Sequence, residues 1–153
     1  MSDITPQEAR DRLDRAEAAT GRRAAERRVH ALATAGFGVL MGGYLAVSRL
    51  VQETRLESVA VVAYVLLLCA LASWQTTGAR AWPRHARRTS WVGLGATLVA
   101  FVAWVLVLNV REAGREDAGL AGPESLLLLV VAGVVTATPM LVAAARIRRG
   151  GRA

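Results

Sequence analysis

The stretch SLLLLVVAGVVTATPMLVAAA, residues 125–145, decides the fold of this chain. It opens with large aliphatic side chains from Leu126 to Val131 and contains no Asp, Glu, Lys, Arg or His. A helix needs about 20 consecutive, mostly apolar residues to cross the hydrocarbon core of a bilayer. The stretch therefore predicts a membrane-spanning helix.

Three further apolar blocks precede it, at residues 31–48, 58–75 and 90–110, and none contains a charged residue or histidine. The first block is the weakest, because four glycines interrupt its aliphatic residues. A chain of 153 residues that is 54% hydrophobic yet carries a net charge of +7 fits apolar spans joined by basic segments. The sequence predicts an all-α polytopic membrane protein with four transmembrane helices, preceded by a charged N-terminal cytoplasmic helix.

The predicted domains follow from these blocks. Residues 1–28 form a charged juxtamembrane helical segment, residues 29–148 the four-helix transmembrane domain, and residues 149–153 a basic tail. Thr5, Pro6 and Glu8 give the first segment a helix start with a capping box. With few bulky apolar residues it cannot form a core of its own. We interpret it as a solvated helix at the membrane surface or as a docking helix for a partner.

Arginine is unevenly distributed between the segments that join the blocks. The two terminal segments and the connection between the second and third blocks hold 15 arginines, against 4 in the other two connections. Short basic segments stay in the cytoplasm, so both termini are predicted to be cytoplasmic in a bacterial inner membrane. Arginines near such a boundary are expected to contact anionic lipid headgroups rather than nucleic acid. The predicted headgroup contacts are Arg80, Arg84, Arg87, Arg88, Arg146, Arg148 and Arg149.

Two patterns inside the apolar blocks suggest specific roles. Small residues recur every fourth position at Thr34, Gly38, Gly42 and Ala46, which is the spacing of closely packed helices. This face fits either a contact within the chain or a homodimer. The second pattern is Thr136, Thr138 and Pro139, where proline removes one helical hydrogen bond. A tolerated kink is the simpler interpretation, and a hinge or polar patch on a solute path is the alternative.

Candidate catalytic, cofactor-binding and metal-binding residues are lacking in the sequence. His30 and His85 lie at the edges of predicted spans, and Cys69 is the sole cysteine. No Asp, Glu, Lys, Arg or His lies inside a span, whereas proton-coupled carriers usually require such a group there. No nucleophilic or carboxylate constellation falls in a plausible place. The chain is therefore predicted not to be an enzyme and to use no cofactor.

The charged segment PQEARDRLDRAEAATGRRAAERR, residues 6–28, leads into the glycine-rich span ATAGFGVLMGGYLAV, residues 33–47. This first third of the chain resembles small actinobacterial four-span membrane proteins. The resemblance implies a bacterial inner-membrane protein and transfers no functional residue.

The expected function is that of an accessory or regulatory membrane protein, which packs against itself or against a larger membrane complex. The alternative is a small oligomeric channel or carrier for a neutral or hydrophobic solute.

Overall fold

The computed structural model describes residues 5–52, 54–78, 86–119 and 124–150, and these residues form four helices without a strand. The helices are α1 (Pro6–Leu50), α2 (Glu57–Gly78), α3 (Ala86–Asp117) and α4 (Leu126–Arg148). Each is long and apolar enough to cross a membrane. The prediction of an all-α chain with four apolar helices is confirmed. Arg80, Arg84 and His85 lie outside the described residues.

Helix α1 begins with the capping box expected from the sequence. The Thr5 hydroxyl accepts a hydrogen bond from the Glu8 amide at 3.3 Å, and the Glu8 carboxylate accepts one from the Thr5 amide at 3.1 Å. The helix then continues for 45 residues without a break. The sequence predicts that the second half of the charged segment, from Arg22, continues into the first span, with Gly21 as a weak point between its two halves. In the structure the two are one helix, because a single glycine at position 21 costs only about 1 kcal/mol and alanine-rich helical sequence flanks it.

The residues of α1 ahead of the bundle form a projecting arm, which we define as residues 6–28. No residue of the arm is buried, and the first buried residue of α1 is His30. At a rise of 1.5 Å per residue the arm is about 34 Å long. Its rigid connection to the first apolar segment fixes the direction in which the arm leaves the bundle.

Helices that are consecutive in the sequence run in opposite directions. Gly42 of α1 lies against Gly133 of α4, and Ala31 packs with Ile147 at the other end of the same pair, so α1 and α4 are antiparallel. Helix α3 runs parallel to α1, since Ser90 lies near Thr34 at one end and Glu112 pairs with Arg49 at the other. One end of the bundle therefore carries the arm, the end of α2, the start of α3 and the end of α4. We call this the basic end, and the opposite one the acidic end.

Helix α2 lies on the outside of the bundle and contacts only α1 among the helices. The rings of Tyr44 and Tyr64 stack with centroids 4.2 Å apart, and the Tyr64 hydroxyl lies 2.8 Å from the Met41 sulfur. None of the residues of α2 is buried. The tightly packed part of the bundle therefore consists of α1, α3 and α4.

Large apolar side chains cover the outside of the bundle. The exposed fraction is 74% for Leu127, 71% for Val99 and 63% for Leu66. The interior is small by comparison, with one buried cluster around Leu45 and Leu129 and a second at the basic end. Soluble monomers rarely expose apolar patches larger than a few hundred Å². This distribution is the one expected when hydrocarbon surrounds the helices.

Candidate functional site

The closest approach in the bundle joins α1 to α4. A Cβ atom added to Gly42 would overlap the carbonyl oxygen of Gly133, and one added to Gly133 would lie 2.9 Å from the carbonyl oxygen of Gly42. One helical turn away, a Cβ on Gly38 would lie 2.6 Å from the Cβ of Met140 and 3.0 Å from the carbonyl oxygen of Ala137. The two backbones can therefore approach this closely only because Gly38 and Gly42 have no Cβ atom.

The structure brings the predicted packing face together on one side of α1. Thr34, Gly38 and Gly42 are buried, and Ala46 packs against the buried cluster around Leu45. The two glycines face α4, while the Thr34 hydroxyl lies 3.4 Å from that of Ser90 on α3. Helix α4 thus occupies this face within the chain. A homodimer through Gly38 and Gly42 would have to displace α4.

The spacing of small residues along α1 did not point to the glycines on the other two helices. Gly133 has a small residue four positions later, Ala137, and this weaker pattern could have identified it. Gly93 of α3 has the same spacing, with Thr89 and Thr97 four positions before and after it, and its added Cβ would lie 2.8 Å from the Cβ of Ala143. Helix α4 is therefore held by small residues on two sides, against α1 and against α3.

The predicted kink residues lie on different faces of α4. Pro139 lies inside the helix, and the exposed Thr138 hydroxyl donates to the carbonyl oxygen of Val134 at 2.7 Å. Thr136 is fully buried, and its hydroxyl has no hydrogen-bond partner in the described part of the chain. The same holds for Thr97 of α3, one turn beyond Gly93. Two buried hydroxyls thus remain near the middle of the bundle.

We expect Thr136→Val to raise the stability of the purified protein by about 1–2 kcal/mol, because a buried hydroxyl without a partner costs roughly that amount. Valine keeps the shape of the side chain and removes the polar atom. The measurement is the thermal unfolding midpoint in detergent. Thr138→Val is the matched control and should change stability by less, since its hydroxyl is exposed and bonded to its own helix. Destabilisation by Thr136→Val would mean that the hydroxyl binds something in the native state.

Polar side chains join the helices at the acidic end. Arg49 of α1 forms an ion pair with Glu112 of α3 at 2.8 Å and a hydrogen bond with the side chain of Asn109. Nearby, Glu124 lies 3.7 Å from Arg111 and 3.6 Å from Arg115. Arg49, Arg111 and Arg115 therefore have carboxylate partners among the described residues. These contacts hold α1 to α3 and fix the start of α4 relative to the end of α3.

The arginines of the basic end are arranged differently. Arg87, Arg88, Arg146, Arg148 and Arg149 are all exposed, and none of them forms an ion pair within the described residues. This exposure is compatible with the predicted headgroup contacts, which remain a prediction. Arg80 and Arg84, which belong to the same prediction, lie outside the described ranges.

Two grooves open at the basic end, one on each side of α4. The α1–α4 groove has a volume of about 740 Å³, and its charged lining residues are Arg28, Arg148 and Arg149. The α3–α4 groove is smaller, about 410 Å³, with Arg88 and Arg146 at its mouth. The sequence did not single out Arg28, because it belongs to the predicted charged segment and only the packing of α1 on α4 brings it to the C-terminal arginines.

A small cavity of about 180 Å³ is lined in part by Thr34, Gln75 and Ser90. Its polar groups bond mainly to protein, since Thr34 lies near Ser90 and the Gln75 amide lies 3.2 Å from Nδ1 of the buried His30. No group of three His, Cys, Asp or Glu side chains that could hold a metal ion occurs among the described residues. The cavity therefore offers little beyond an apolar surface to a ligand.

Comparison with known proteins adds no relative, because no family model, no curated protein and no solved structure matches this chain.

Proposed function

We propose that the protein is a non-enzymatic accessory or regulatory subunit of a bacterial cytoplasmic membrane, which acts by packing its helices against a larger membrane complex or a second copy of itself. The observation that carries the proposal is the position of α2. This helix is apolar over its length, has no buried residue and contacts only α1. Helix α2 thus leaves most of its circumference available to a partner inside the membrane.

Exposed apolar side chains and the arginine count together support the location. The exposed valines and leucines of all four helices need an apolar solvent. Arginines are concentrated in the two terminal segments and between α2 and α3, and such asymmetry favours a cytoplasmic basic end. We therefore place the arm in the cytoplasm and the Arg49–Glu112 pair at the outer surface.

The outward face of α2 is the surface proposed for the partner. The residues of α2 that are partly covered by α1, such as Ala60, Tyr64 and Leu68, recur every fourth position. Helical geometry places Val62 and Cys69 on the opposite side, and both are exposed. This side combines aliphatic and small side chains without a charge, as helix–helix contacts in a membrane require.

The cytoplasmic arm supplies a second surface. Arginines and carboxylates alternate along it, and between residues 6 and 28 only Leu13 is a large aliphatic residue. A helix that is polar on all sides cannot insert an apolar face into the headgroup layer, and it is typical of a solvated connector. The arm therefore suits contact with the polar surface of a cytoplasmic partner or domain.

The alternative function, an oligomeric channel or carrier for a neutral or hydrophobic solute, rests on a single observation. The buried hydroxyls of Thr97 and Thr136 have no partner in the described residues, and Pro139 interrupts the hydrogen bonding of α4 nearby. Against it, the direct contact between Gly42 and Gly133 leaves no space between α1 and α4 at that level. A solute path would have to run between chains.

The test is purification from native membranes in mild detergent, with mass measurement of the intact complex. We expect a larger membrane protein in fixed ratio or a defined oligomer, and no solute flux in liposomes that contain only this chain. Cys69 serves as a natural probe for self-association, since a short bifunctional maleimide should join two copies if their α2 faces meet. Cys69→Ser is the control for that reaction. A monomer without partner, or solute flux by the isolated chain, would overturn the proposal.

A further inference from the structure

The α1–α4 groove at the basic end has charged residues at its mouth and apolar residues along the rest of its lining. Arg28 of α1 and Arg148 and Arg149 of α4 line its mouth. None of the three pairs with a carboxylate within the described part of the chain. Three cations thus converge on one opening, and an anion between them would offset their mutual repulsion.

Below the arginines the lining is entirely apolar. Leu32 and Leu141 are exposed to it, and the alanines at 31, 35, 144 and 145 leave the space open because their side chains are short. At 1.5 Å per residue, Leu32 lies about 6 Å and Leu141 about 10 Å further along the helix axes than Arg28 and Arg148. This is the direction in which both helices enter the predicted hydrocarbon layer.

We propose that the groove binds one anionic phospholipid, with its phosphate on Arg28, Arg148 and Arg149 and an acyl chain along Leu32 and Leu141. Guanidinium groups match phosphate oxygens in geometry and charge. A free anion would leave the apolar lining uncovered, whereas a lipid fills both parts. The volume of about 740 Å³ falls within the range of roughly 300–1,000 Å³ typical of small-molecule sites.

The bound lipid would strengthen the contact between α1 and α4 next to the base of the arm. Its phosphate joins the end of the arm to the C-terminal turn of α4, so its binding holds α1 and α4 together beyond the Gly38 contact. This inference rests on the proposed membrane location. It deepens the proposed function, because the lipid composition of the cytoplasmic leaflet would then regulate how firmly the base of the arm is held to α4.

The experiment reconstitutes the full chain in nanodiscs of equal parts phosphatidylglycerol and phosphatidylcholine and measures retained lipid by native mass spectrometry. We expect one phosphatidylglycerol per chain, in clear excess over phosphatidylcholine, and no displacement by saturating inorganic phosphate. The triple variant R28Q/R148Q/R149Q should lower the apparent affinity by about tenfold or more. The control R22Q/R23Q/R27Q removes the same charge from the arm, outside the groove, and should change it little.

A second variant tests the apolar part without changing any charge. Ala145→Phe fills the groove from an exposed position of α4 and should also reduce lipid retention. Three results would each overturn the lipid site. They are an equal loss of lipid affinity in both triple arginine variants, retention of phosphatidylcholine equal to that of phosphatidylglycerol, and displacement of the lipid by inorganic phosphate alone. None of these results would affect the proposed partner contact at α2, whereas failure of the chain to enter nanodiscs would overturn the membrane location and both proposals with it.

Discussion

The substitution Gly42→Ala is expected to destabilise the bundle by about 2 kcal/mol or more, whereas Gly43→Ala should leave it unchanged or slightly more stable. A Cβ atom at position 42 would overlap the backbone carbonyl of Gly133. A backbone oxygen cannot rotate away as a flexible side chain can, so α1 and α4 must separate. Overpacking of this kind typically costs about 1–3 kcal/mol.

Gly43 provides a matched control, because it is also a glycine of α1. An added Cβ at Gly43 meets no atom within 4 Å. Replacing a helical glycine by alanine in open space stabilises the helix by roughly 0.5–1 kcal/mol. Thermal unfolding of both variants in the same detergent, followed by tryptophan fluorescence, gives the comparison. Equal midpoints for the two variants would contradict the close approach of α1 to α4.

Separation of α1 from α4 would also weaken contacts beyond the mutated position. Gly38 lies one turn from Gly42 on the same face, and α4 packs through Ala143 against Gly93 of α3. We therefore expect G42A to weaken the α3–α4 contact as well. The loss of stability in the double variant G42A/G93A should be smaller than the sum of the two single losses, because neighbouring contacts of one helix are coupled.

Reporter fusions are expected to give an all-or-none result. Alkaline phosphatase, which is active only after export, should be active when fused after Ala118 and inactive when fused after His85. The reason is that Ala118 follows α3 at the acidic end, whereas position 85 falls in the sequence between the end of α2 and the start of α3, which both lie at the basic end. A fluorescent protein that folds only in the cytoplasm should give the opposite pattern at the same two positions.

A third fusion after Arg149 controls for the number of spans that precede the reporter. Its signal should match that of the His85 fusion, because α4 ends at the basic end. If both reporters showed the Ala118 position inside the cell, the orientation would be reversed and the arm would lie outside. The lipid groove would then face the outer leaflet, although the contacts within the bundle would remain as described.

Parts of the arrangement could be read from residue pattern alone. The apolar blocks gave four helices, and Thr5 with Glu8 gave the start of α1, because both depend on short-range sequence. The spacing of Gly38 and Gly42 indicated a close-packed face. It did not indicate which helix lies against it, since the same spacing serves a contact within a chain and one between chains.

Other features depend on residues far apart in sequence. Gly21 is a local weakness in helix propensity, and the structure shows that the helical sequence on both sides of it carries α1 through this position. The pairing of Arg49 with Glu112 joins positions 63 residues apart. Arg28 meets Arg148 and Arg149 only because α1 and α4 are antiparallel neighbours, so the groove they line has no signature in any single segment.

The sequence by itself determined that four apolar helices form and that arginine accumulates at alternate connections, because length, hydrophobicity and charge act locally. Tertiary structure alone decided that α4 occupies the small-residue face of α1, that α2 remains at the periphery, and that three arginines surround one groove. The physical reason is that these features depend on which backbones approach most closely, and that choice is made by packing between helices rather than by the properties of any one of them.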